Sequence, residues 1–443
     1  MTTQRGELTR FSLANMPWLT EWERIRTIDM LLRYELIEYD NARNLPLKKG
    51  GKTDIYINLR NGRNHPGALI EIAEIFANPL RRLCLERFGE IPDSVSCFAG
   101  LIAEATGLPY LTLRDKPKKG RVVKADMIGR INVGDRISLI DDVITDGASK
   151  IEPYRKCIAS GGNIRPLVAL VDRQQGWKEL FEIEDIFMEV WPGMTLHDVR
   201  KHLIGNGLMQ RCDPEVEAKN PIILALDGKS WDEVLPVIDE LRTAGCILKV
   251  NDLMFREGIE KLIPNLEVYG RVMVDIKSHD IPNTIKNVGE LLKARPPWAV
   301  TVHASGAEAM MHAMVARLRG TETKVLAVTV LTSIDEETCE EIYVRQPLDQ
   351  VLKLAEIANR AGVHGFVCSP HEVPELKKLY PDKKYVTPGL QSKNMIPNDQ
   401  KRVCTPAEAK ALGSTEYVIG RQVFGARDPI AEVRLLKEEL QVL

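Results

Sequence analysis

From residue 221 onward, short apolar runs return at a steady interval. They lie at 222–226, 247–250, 272–276, 299–302, 325–331, 365–368, 384–386 and 417–419, and helical patterns separate most of them. Eight strands alternating with helices in about 225 residues predict an α/β fold with parallel strands, because each return crossing needs a helix. Closure into a (β/α)8 TIM barrel fits this count, and an open doubly wound sheet is the alternative that periodicity alone leaves. A chain of 443 residues favours two domains over one. Residues 203–220 mix glycine, charge and Pro214, so the boundary is expected near 215, giving domains 1–214 and 215–443.

The densest chemistry lies in Val274-Asp275-Ile276-Lys277-Ser278-His279-Asp280-Ile281. Strand alternation predicts that Asp275 and Lys277 point to one side, with Asp280 in the loop beyond and Pro282 opening a helix. Further polar residues close the other apolar runs: Asp227, Lys249, His303, Ser333, Pro388-Gly389 and Gly420-Arg421. Each alone reads as a salt-bridged surface group. Together, at strand ends, they can converge on one pocket, and the loops after strands seven and eight of such barrels commonly bind phosphate. Gly389 and Gly420 allow close backbone approach, and Arg421 can clamp a phosphate.

A net charge of −2 gives no sign of bulk nucleic-acid binding, and no window approaches a membrane-spanning run. The N-terminus has no signal-peptide core. The eight cysteines form no Cys-x-x-Cys pair and there is no His-Glu-x-x-His, so reduced thiols in a cytoplasm are expected and a zinc site is not.

In the first half, apolar spacing predicts helices over 22–40, 66–88 and 150–160, and strands over 55–60, 95–98, 110–113 and 137–141. Two loops are strongly basic, at 47–54 and 113–121; the plain reading is solvated turns, the sharper one a clamp for a polyphosphate. The specific motif is Ile140-Asp141-Asp142-Val143-Ile144-Thr145-Asp146-Gly147-Ala148-Ser149. A strand ends in two acids, and a turn at a helix N-terminus follows, where backbone N–H groups can nest a phosphate.

That order resembles the phosphoribosyl-pyrophosphate motif of type I phosphoribosyltransferases, and residues 20–205 resemble the orotate phosphoribosyltransferases. The resemblance implies an open parallel sheet. It implies that Lys48, Thr145 and Arg173 contact orotate, that Asp141 and Asp142 meet the ribose, and that Asp146, Gly147, Ala148 and Ser149 cradle the 5-phosphate. Arg114 and Lys118 would cover pyrophosphate, accompanied by Mg2+. Two departures stand out. If 95–98 is the strand, about ten residues carrying the pyrophosphate loop are missing. Asp115 also replaces a cation; two like charges at about 4 Å repel by about 4 kcal/mol at an effective dielectric of about 20.

In the second half, Ala225-Leu226-Asp227, Leu248-Lys249-Val250, Asp275-x-Lys277-x-x-Asp280-Ile281-Pro282-Asn283-Thr284, Val302-His303-Ala304-Ser305-Gly306, Thr387-Pro388-Gly389 and Ile419-Gly420-Arg421 resemble the orotidine 5′-phosphate decarboxylases. The resemblance implies cofactor-free decarboxylation by Lys249, Asp275, Lys277 and Asp280, with Asp280 reaching into a partner's site in a homodimer. Asp227, Thr284, Ser333, Pro388, Gly389, Gly420 and Arg421 would bind substrate, with Gln391 and Gln400 rival grips on the phosphate. Taken together, the two halves resemble the bifunctional uridine monophosphate synthases, which use orotate, phosphoribosyl pyrophosphate and orotidine 5′-phosphate. A decarboxylase with a degenerate, ligand-binding or dimerising first half is the alternative; a barrel acting on another phosphosugar is a weaker one.

Overall fold

The computed structural model describes residues 17–47, 51–91, 94–113, 127–392 and 404–442. The chain divides into two compact units, Met1–Met209 and Gln210–Leu443.

In the first unit, Thr20 caps helix Glu21–Arg33 and exchanges hydrogen bonds with Glu23 in a capping box. The helix stops earlier than its apolar spacing suggests. Glu35 adopts φ 56°, and Leu36 reaches the core from extended chain instead. Strand Ile37–Tyr39 then pairs antiparallel with Ile55–Ile57. Helix Pro66–Arg82 likewise ends before residue 88, because Arg87–Glu90 is a strand with Phe88 fully buried. The stretch expected as a strand at 95–98 is a turn leading into helix Ala99–Thr106. Val95 and Phe98 are apolar for packing, with the Phe98 ring 5.9 Å from that of Phe76.

The sheet runs Val190–Thr195, Leu167–Asp172, Arg136–Ile144, Arg87–Glu90 and Tyr110–Leu113, all parallel, with Met127–Ile128 antiparallel at the edge. In chain order the parallel strands stand 2-1-3-4-5. The order reverses between the first and third, and in open α/β sheets ligands bind there, at the carboxyl ends. The third strand carries Asp141 and Asp142 to that end. Below it, Arg200 and Asp54 form a buried bidentate pair that ties the last helix, Leu196–Gly205, to the loop before Ile55.

In the second unit, eight parallel strands close into a barrel, each paired with its sequence neighbours and the first with the last. They are Ile222–Ala225, Ile247–Val250, Arg271–Ser278, Ala299–His303, Lys324–Val328, Gly365–Val367, Lys384–Thr387 and Glu416–Ile419. The open-sheet alternative is therefore excluded for this half. Ile223, Ile247, Met273, Ala299, Leu326 and Val386 cluster as an apolar plug. Two residues further along the first five of those strands come Ala225, Lys249, Asp275, Thr301 and Val328. Period two thus places Lys249 and Asp275 one layer above the apolar plug, at the carboxyl ends.

Gly365 faces Lys384 across the sixth and seventh strands, where an added Cβ would lie 2.5 Å from the Lys384 carbonyl oxygen. Gly365→Ala is expected to destabilise the barrel by about 1–3 kcal/mol through overpacking, read as a lower urea midpoint.

Candidate active sites

The barrel strands open at their carboxyl ends into a cavity of about 470 Å³. Asp227, Lys249, Asp275 and Lys277 form a chain of alternating charge on its floor. Lys249 Nζ lies 2.6 Å from Asp227 Oδ2 and 3.1 Å from Asp275 Oδ2, and Lys277 Nζ lies 2.9 Å from that same Asp275 oxygen. Lys249 and Asp275 are buried, while Lys277 is partly open to the cavity. Burial pushes the Asp275 carboxyl up, but Lys249 and Lys277 together outweigh it and hold it below its ordinary value. Burial pushes Lys249 down, and Asp275 and Asp227 outweigh that to hold it above.

Simple alternation does not deliver Lys277 to this array. The third strand bulges after Val274, and Lys277 sits at φ 44° in the left-handed region. That conformation costs about 1–2 kcal/mol for a residue with a Cβ. Bulges near active sites re-aim side chains in this way. Thr301 of the fourth strand holds the bend: its hydroxyl accepts from Lys277 N and donates to Asp275 Oδ1, both at 2.9 Å. Thr301 belongs to none of the motifs that the sequence offers. Its signal was a polar residue at an inward position of an apolar strand.

Ser333, Pro388, Gly389, Gln391, Gly420 and Arg421 line the same cavity. Gly420 lies against Ala225, where a Cβ would come within 3.1 Å, so the eighth strand can approach the first closely. Lys229 and Gln422 also line the cavity and were not foreseen. Gln422 is buried and binds Ser392 and Glu432, fixing the described start of the segment after Gly389. Gln400 lies outside the described residues. Asp280 and Thr284 do not line this cavity; Asp280 is exposed and its Oδ1 accepts from Ile281 N at 2.6 Å. His303 bonds Ser305 at 2.7 Å and stacks on His279 rather than facing the cavity.

The first unit has its own cavity of about 430 Å³ at the switch point, lined by Asp141, Asp142, Thr145, Asp146, Ser149, Lys150 and Arg173 among others. Gly147 takes φ 78° at the start of helix Ala148–Ala159, and a Cβ there would strike Phe181 at 2.7 Å. Asp146 Oδ1 accepts from the Ala148 N–H at 3.2 Å, within the turn that was expected to nest a phosphate. Arg173 donates to Thr53 Oγ1 at 2.8 Å and to Ile55 O at 3.2 Å, so its guanidinium is anchored to the end of the first basic turn and the strand that follows it. Lys150, unforeseen, is buried with its ammonium against Asp141 and 2.9 Å from Ser149 Oγ. Lys48, Arg114, Asp115 and Lys118 lie outside the described residues. Among the described residues there is no group of three His, Cys, Asp or Glu that could hold a metal ion, and no helix long and apolar enough to cross a membrane.

The barrel and its floor define a (β/α)8 protein with acid and base groups converging at the carboxyl ends of the strands. Residues 220–436 match the orotidine 5′-phosphate decarboxylase / HUMPS family. The chain is 38% identical over 225 residues to the orotidine 5′-phosphate decarboxylase of Chromohalobacter salexigens, spanning 50% of this chain and 95% of that relative. It is 36% identical over 228 residues to the decarboxylase of Pseudomonas putida, spanning 50% of this chain and 98% of that relative. The crystal structure of the Lactobacillus acidophilus decarboxylase aligns at 31% identity over 50% of this chain and 99% of its own, with a TM-score of 0.44. The chain belongs to the orotidine 5′-phosphate decarboxylase / HUMPS family through its C-terminal half.

Burial pushes the Asp142 carboxyl up to about 7, with the neighbouring Asp141 charge adding to it. A carboxyl raised on folding stabilises the fold at low pH and loses that contribution as pH rises through the raised value. Asp142→Asn should therefore match the parent's urea stability near pH 4, exceed it increasingly as pH rises to about 7, and exceed it by a constant amount above that. A constant difference across that range would place Asp142 in ordinary solvent.

Proposed function

We propose that the barrel, residues 215–443, decarboxylates orotidine 5′-phosphate to uridine monophosphate, and that residues 1–214 transfer phosphoribose from phosphoribosyl pyrophosphate to orotate. The chain would then carry the last two steps of pyrimidine synthesis, as a cytoplasmic homodimer.

The observation that carries the barrel reading is the Lys249–Asp275–Lys277 array, set in one cavity with the glycines and arginine of the seventh and eighth strands. Gly389, Gly420 and Arg421 would hold the phosphate, and Asp227 with Lys249 the ribose. The pyrimidine carboxylate would then lie against Asp275. Loss of CO2 leaves the electron pair of the broken bond on carbon 6, and the Lys277 ammonium stabilises it and then donates its proton there. No external electron acceptor enters. Stabilisation of the developing carbanion by a preplaced ammonium carries most of the effect. Asp280 is exposed outside its own chain's cavity, which supports its reaching into a second subunit's site.

For the first unit, support comes from the parallel order, the acid pair at the switch point and the Gly147 turn. The strand at Arg87–Glu90 also restores room for a pyrophosphate loop, since residues 91–98 connect it to the next helix. Magnesium would arrive on the pyrophosphate, because Asp141 is already neutralised by Lys150 and the described residues offer no cluster of ligands. That same pairing favours the second reading, a first half kept as a binding module.

Purified chain supplied with orotate, phosphoribosyl pyrophosphate and magnesium, beside a parallel assay on orotidine 5′-phosphate, tests both halves. Activity in both assays supports the bifunctional reading; decarboxylation alone selects the second. Lys277→Ala should abolish decarboxylation while substrate binding largely persists, and appreciable turnover would remove Lys277 from the proton-donor role.

A further inference from the structure

Thr301 is fully buried in the middle of the fourth strand and does not line the cavity. The ladder between the third and fourth strands pairs Val274 with Val300 and next Ser278 with Val302. Three residues, Asp275, Ile276 and Lys277, therefore face the single residue Thr301. The Thr301 hydroxyl has one proton. An N–H can only donate, so the oxygen accepts from Lys277 N, and the proton goes to Asp275 Oδ1. Asp275 Oδ2 is left for the two ammonium groups, Lys249 and Lys277. One hydroxyl thus gives the left-handed Lys277 a buried acceptor and also selects which Asp275 oxygen meets the cations.

We infer that Thr301 is a positioning residue for the decarboxylation, acting on the reacting groups only through Asp275 and the backbone of Lys277. This rests on the decarboxylase reading of the barrel. Thr301→Val keeps the shape and removes both hydrogen bonds; Thr301→Ser keeps them.

In the full chain, the valine variant should lower kcat roughly ten- to hundred-fold, the scale of a misplaced catalytic group. Its KM for orotidine 5′-phosphate and its affinity for uridine monophosphate should stay within about threefold, since Thr301 bonds only Asp275 and the Lys277 backbone and none of the groups proposed to grip the phosphate and ribose. The serine variant should restore kcat. Parental kcat in the valine variant overturns the inference, as does serine no faster than valine, or a loss of product affinity parallel to the loss of kcat. Should the valine chain not fold, Thr301→Ala carries the same expectation of lower kcat at unchanged KM.

A parent chain that does not decarboxylate would remove the barrel's proposed function itself. A crystal structure of the valine variant decides the positioning claim without turnover. The Asp275 carboxylate should rotate or Lys277 leave its left-handed conformation, and an unmoved pair overturns it.

Discussion

One carboxylate oxygen, Asp275 Oδ2, accepts two ammonium groups at 3.1 and 2.9 Å, and the open end of the barrel is arranged to make that possible. Buried charges are tolerated only when paired and hydrogen-bonded, and removing one partner of such a set costs about 3–5 kcal/mol. Lys249 must therefore come from the second strand, Asp275 from the third and the Thr301 hydroxyl from the fourth, their polar atoms meeting at the carboxyl ends. The apolar plug beneath keeps water away from below, which strengthens every interaction in the layer above it. The strain at Lys277 persists because this network over-determines its position.

The first unit solves a related problem with different parts. Two adjacent acids at a strand end repel each other, and the unit answers by burying an ammonium from the following helix beside one of them. The carboxyl of the other is pushed up to about 7 by burial and by its neighbour's charge. Gly147 lets the chain turn tightly enough for Lys150 to return under the strand, and Phe181 fills the place a side chain would need. The Asp54–Arg200 pair and the Arg173 anchor hold the opposite wall.

The barrel was legible because its signal is redundant. All eight strands fall where their apolar runs lie, since each must fill an interior layer and a helix-facing layer. Asp227, Lys249, Asp275 and Lys277 were legible as strand-end polar residues, and they meet. What escaped was local. Helical spacing continues through Leu36 and Phe88, yet a left-handed Glu35 ends one helix and a new strand claims Phe88. Val95 and Phe98 look like strand because burial alone makes them apolar. The bulge at Lys277 leaves no mark in a period-two pattern, and Thr301 and Lys150 gain meaning only through residues distant in sequence.

The barrel closes by pairing Ile222, Ile223 and Leu224 with Tyr417, Val418 and Ile419. Asp227 follows the first of these strands and Arg421 the last, and both line one cavity. A ligand that touches both spans the seam, and its binding free energy adds to the cohesion of that joint. The eighth strand supplies the Gly420 and Arg421 side of that cavity, while the Lys249–Asp275–Lys277 array comes from the second and third strands.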